Sequence, residues 1–208
     1  MRLALALALT LITTSARAEE HQPGRGTWIV TEVGASLWHA TWTGLNGERS
    51  GRGGIDGGGI RVRAGALFEV ARGFALGPVA GGDMAFTHAS SDLCCGEVYR
   101  VDTARLGVEG SYWPDPAYGF RVLFGFGVAT AATRVDEEGR KNPGVLGAAY
   151  PTGSYFSVGL GRDTKLGPHT RIGGALRIEA DHLTTSEGDT RQAMRTLLPS
   201  LSIVLLTQ

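Results

Sequence analysis

From Thr27 to the C-terminus, apolar and polar side chains alternate with a period of two through eight long runs, with turn-forming residues between them. That period is the mark of a β-strand, whose successive side chains point to opposite faces. The runs cover 27–43, 57–72, 74–89, 97–113, 118–135, 154–165, 170–185 and 191–207. Most are about 15 residues long, against five or six in ordinary soluble sheets. Eight such strands with no helical period between them predict an all-β domain closed on itself, an eight-stranded antiparallel up-and-down barrel.

The connections between runs alternate in length. Arg72-Gly73, Pro114-Asp115-Pro116-Ala117 and Leu166-Gly167-Pro168-His169 are tight and built of turn formers, whereas 44–56, 90–96, 136–153 and 186–190 are longer and polar. Alternation puts every long loop at one end of the barrel and both termini at the other. Bacterial outer-membrane barrels have this form, with short periplasmic turns and longer extracellular loops.

Before the first strand, Arg2 precedes the apolar run Leu3-Ala4-Leu5-Ala6-Leu7-Ala8-Leu9, and Ala16-Arg17-Ala18 follows. This is the pattern of a secretory signal peptide cleaved after Ala18. The apolar run is about half the ~20 residues a membrane helix needs. The expected organisation is a signal peptide at 1–18, a periplasmic N-terminal segment at 19–26 and an outer-membrane barrel at 27–208. Without Arg2 and Arg17, the 20 basic residues fall two short of the 20 acidic ones, a balance that does not point to nucleic acid.

One face of each strand is greasy and the other small and ionic. In the fifth run Phe120, Val122, Phe124, Phe126 and Val128 oppose Arg121, Leu123, Gly125, Gly127 and Ala129. Period two cannot say which face points inward, because a soluble lipocalin-like barrel binding an apolar ligand alternates in the same way. Glycine decides. Eight strands leave a lumen just wide enough for side chains, so glycines beside long charged groups suit the inside, and a row of phenylalanines does not. The apolar face is therefore expected against lipid. Aromatics near the run ends, among them Trp28, Trp38, Trp42, Phe74, Phe86, Tyr99, Tyr112, Trp113, Tyr118 and Tyr155, are expected to form interfacial girdles.

The same parity assigns Glu32, Arg61, Arg63, Glu69, Asp83, Arg105, Glu109, Arg121, Asp163, Arg171, Arg177, Glu179 and Asp181 to the lumen. Charges in a confined space persist when paired and hydrogen-bonded, so a salt-bridge plug is expected there and not an aqueous channel.

Signal peptide, eight alternating segments and the rhythm of short turns and long loops resemble the small eight-stranded outer-membrane β-barrel superfamily of Gram-negative bacteria, of the OmpA transmembrane-domain, OmpX and OmpW type. The resemblance lies in architecture and covers nearly all of the chain after the signal peptide. It implies assembly by the barrel-assembly machinery, outer-membrane lipid as surroundings, and a structural, envelope or surface-interaction role. Members commonly end in an aromatic residue, whereas this chain ends Ile203-Val204-Leu205-Leu206-Thr207-Gln208.

Signals for chemistry are sparse, and no enzymatic activity, cofactor or metal is expected. His88-Ala89-Ser90 resembles the His-x-Ser of lipid A deacylases without their surrounding residues, which leaves a lipid A-modifying enzyme as a lesser alternative. Asp181 and His182, with Glu187 near, face opposite ways as neighbours on a strand and make a poor metal site. The glycine-rich 51–59 leads into a strand, so it reads as a flexible loop and not a phosphate cradle. The adjacent Cys94 and Cys95 are a possible disulfide.

Overall fold

A computed structural model describes residues 26–46, 49–91, 98–115, 119–135, 150–187 and 190–208. Residues 1–25, which include the expected signal peptide, Cys94 and Cys95, and most of the 136–153 stretch lie outside the described residues.

Eight strands follow one another: β1 (Thr27–Asn46), β2 (Arg49–Ala71), β3 (Phe74–Ser91), β4 (Val98–Tyr112), β5 (Phe120–Val135), β6 (Thr152–Lys165), β7 (Thr170–Glu187) and β8 (Thr190–Thr207). Each pairs antiparallel with its sequence neighbour, and β1 closes on β8 from Ile29↔Thr207 to Asn46↔Thr190. Closure removes both sheet edges, so the ladder has no open row of backbone groups. Gly73, at a φ of 71°, makes the turn between β2 and β3. Pro78 and Pro199 lack an N–H, and the β2–β3 and β1–β8 ladders are interrupted beside them.

Two connections read as long loops are strand over most of their length. β1 and β2 remain paired out to Asn46↔Arg49, and β7 and β8 out to Glu187↔Thr190. The glycine-rich 51–59 is therefore part of β2. Its glycines answer bulk on the facing strand, since Trp38 stands opposite Gly57 and Trp42 opposite Gly53, both tryptophans buried. In so narrow a lumen, two indoles on one strand fit when the next strand contributes only hydrogen at those positions.

Candidate functional site

The inward residues of seven strands supply six arginines and six carboxylates, all buried: Glu32, Arg61, Arg63, Asp83, Arg105, Glu109, Arg121, Asp163, Arg171, Arg177, Glu179 and Asp181. Nine of these form one continuous network. Arg177 Nη2 lies 3.0 Å from Glu32 Oε2 and 2.8 Å from Glu109 Oε1. The other oxygen of Glu109 accepts from Arg63 Nη1 at 2.5 Å, and Arg63 Nη2 reaches Glu179. Glu179 also accepts from Arg61 Nη2 at 2.7 Å, and Arg61 Nε continues to Asp83 Oδ1 at 2.9 Å. Arg105 donates to Asp83 through Nη1 and, at 2.7 Å, to Asp181 through Nη2. Among its described residues β8 brings no charge to the lumen but closes the ring with hydroxyls: Ser200 accepts from Arg61 Nη1 at 2.7 Å, and Thr196 donates to Asp181 at 2.7 Å. Planar guanidinium forks with several donors each are what allow four arginines to bridge five carboxylates in this way.

The remaining three charges form a smaller cluster toward the short-turn end. Asp163 accepts from Arg171 Nε, while Arg121 Nε stops 3.6 Å from Asp163 Oδ1. Among the described residues none of the three guanidinium nitrogens of Arg121 has a hydrogen-bond partner, nor does Asp163 Oδ1. Arg121 and Arg177 lie over a glycine pair on β6: a Cβ at Gly161 would sit 2.8 Å from Arg121 Nε, and one at Gly159 would sit 2.9 Å from Arg177 Cγ. Glu69, assigned to the lumen by the same parity, is half-buried near the short-turn rim and makes no side-chain ion pair among the described residues.

Above and below the charges the lumen is apolar. Toward the loops Trp38, Trp42, Ile55, Tyr155, Leu183, Met194 and Leu198 pack together with small residues, and toward the short turns Val30, Leu67, Val79, Trp113, Leu123, Val204 and Leu206 do the same. This corrects the expectation that Trp38, Trp42, Trp113 and Tyr155 lie in the membrane interface. Trp28 likewise packs against the lower plug, 6.5 Å from Trp113 between ring centroids. Parity carried the signal: Trp38 and Trp42 are an even number of residues from Glu32, and Trp113 from Glu109, so each pair shares a face. Tyr99 and Tyr118 lie where no side chain is described.

The outer wall is the inverse. Val62, Leu106, Phe126, Val128, Phe156, Leu176, Leu201 and Ile203 are each at least half exposed. Phe124 also lies on the outside, stacked on Phe74 at 5.9 Å and covering Gly110. On β8 the outward column Leu197, Pro199, Leu201, Ile203, Leu205 gives nine residues of apolar wall, within the ~9–11 that a tilted strand needs to cross the hydrocarbon layer. Polar groups begin above it, including His39 hydrogen-bonded to Asp56 at 2.6 Å and Asp102 between Arg100 and Arg134 at 2.6 and 3.4 Å. Asp181 is buried and His182 exposed, so they do not converge on one site. The backbone of His88 faces Asp56 and that of Ser90 faces Gly54, but their side chains lie outside the described part of the structure.

No protein-family model matches the chain, and no curated protein matches its sequence. Solved structures do. The outer membrane protein OprG from Pseudomonas aeruginosa superposes with a TM-score of 0.58 at 12% identity, over 88% of this chain and 96% of that one. Neisserial surface protein A gives a TM-score of 0.48 at 13% identity, over 89% and 99%. With its closed eight-stranded topology, charged lumen and apolar wall, the chain has the fold of the small outer-membrane β-barrels.

Proposed function

We propose that this protein is an integral outer-membrane barrel with a structural, envelope or surface-contact role and no open pore. The observation that carries the reading is the inverted polarity: twelve paired or clustered charges inside, and phenylalanine, leucine and isoleucine outside. A soluble carrier of apolar ligands needs the opposite arrangement, with Phe124 and Phe126 in the cavity. Exposed apolar surface on this scale is stable only against lipid or a partner. Two apolar plugs and a charge network between them fill the lumen, which favours a wall element over a conduit.

Folding the chain from urea into phosphocholine vesicles and into plain buffer tests the proposal. Strand circular dichroism and heat-modifiable gel migration are expected only with lipid, and planar-bilayer recordings are expected to show no steady conductance. A cooperatively folded, lipid-free monomer in buffer would refute the membrane assignment. Stepwise ion conductance would refute the sealed lumen.

A further inference from the structure

One row of the outer wall carries hydrogen-bonding side chains on four adjacent strands. Ser154 of β6 faces His182 of β7, His182 faces Arg195 of β8, and Arg195 faces Thr41 of β1. All four are exposed. At ladder spacing the row spans about 14 Å. Its two central members are an arginine and a histidine directly opposite each other, a placement that costs stability when both are charged. Neither makes a side-chain hydrogen bond or ion pair among the described residues. The nearby carboxylate of Asp56 is engaged by His39.

Beneath three of the four the wall turns apolar, while beneath Thr41 stands His39, bonded to Asp56. Phe156 stands under Ser154, Ala180 under His182 and Leu197 under Arg195, followed by Val158, Ile178 and Leu201 further down. A cationic, hydroxyl-flanked strip set on top of an apolar wall matches a molecule with an anionic head and acyl tails. Arginine offers a fork of donors suited to phosphate oxygens, and histidine and the two hydroxyls add further donors.

We propose that Arg195 and His182 bind a phosphate group of a phosphorylated glycolipid in the outer leaflet, with Thr41 and Ser154 on either side as hydrogen-bond partners of its sugar head and its acyl chains lying along Phe156, Ile178 and Leu197. The proposal rests on the outer-membrane reading, with the loop end outward. Arg195 is the central phosphate contact. His182 adds a ring N–H donor beside it.

The test uses the full chain folded in dodecyl maltoside micelles, titrated with diphosphoryl lipid A and with enzymatically dephosphorylated lipid A, and read by native mass spectrometry. The phosphorylated lipid is expected to bind more tightly. Arg195→Ala is expected to weaken it roughly fivefold, as for removal of one cation at an anionic lipid surface, and Arg195→Ala with His182→Ala is expected to abolish the preference. Inorganic phosphate at millimolar concentration is expected not to compete, since it lacks the tails. Equal affinity for both lipids, a preference that survives the double substitution, or full displacement by inorganic phosphate would each overturn the site. Heat-modifiable migration of the same samples separates the two claims: a folded barrel without the preference removes the lipid site alone, and a chain that does not fold in micelles removes the membrane reading with it.

Discussion

Arg177 and Arg121 hang over neighbouring glycines of one strand, both fully buried, and differ in what they reach. Arg177 bridges Glu32 and Glu109 and so ties β7 to β1 and β4, as part of a network in which each carboxylate accepts from at least one guanidinium. Arg121 approaches one carboxylate at 3.6 Å and donates no hydrogen bond among the described residues. The same residue type at the same depth thus serves as a cross-link in one region of the lumen and as an unsatisfied charge in the other. Burial is not what makes a lumen charge useful; completed hydrogen bonds are.

The strongest way to break this comparison is one substitution made at both sites. Arg177→Met removes the only ion-pair partner that the buried Glu32 has among the described residues, and it is expected to cost about 3–5 kcal/mol in urea unfolding from vesicles. Arg121→Met leaves Asp163 bonded to Arg171 and is expected to raise stability by about 1–4 kcal/mol, as when poorly compensated buried ions give way to apolar residues. Equal destabilisation by the two would show that Arg121 is satisfied in a way its geometry does not display.

The contrast between inside and outside is sharpened by Leu201→Arg, at the centre of the outward β8 column, with an expected cost of about 2–4 kcal/mol in the same assay. A cost near zero would mean that this column does not face hydrocarbon. The smallest effect expected is that of Gly161→Ala, whose new Cβ would meet Arg121 Nε at 2.8 Å and cost about 1–2 kcal/mol by overpacking. In the Arg121→Met background most of that cost is expected to vanish, and a double-mutant cycle reads the coupling directly. Additive effects would place the strain in the backbone instead.

Much of this was legible beforehand. Alternation placed the strands, and the glycine argument turned the charged face inward; Glu32, Arg61 and Glu179 follow from parity alone. What was misread came from judging position along a strand without parity. Tryptophans near run ends were placed in the interface although Trp38 and Trp42 share the face of Glu32. The glycine-rich 51–59 reads as a loop by composition, because the bulk its glycines answer, Trp38 and Trp42, stands across the ladder and not within the stretch.

The sequence by itself determined the strands, their number and the polarity of their faces, because a period of two is a local property that each residue carries with it. Only the tertiary structure decided which arginine meets which carboxylate, that apolar plugs cap the charges at both ends, and that Ser154, His182, Arg195 and Thr41 share a row. Those facts depend on the register between strands and on closure of the barrel, and register is set by contacts between residues far apart in the chain, such as Glu32 and Arg177, 145 positions apart.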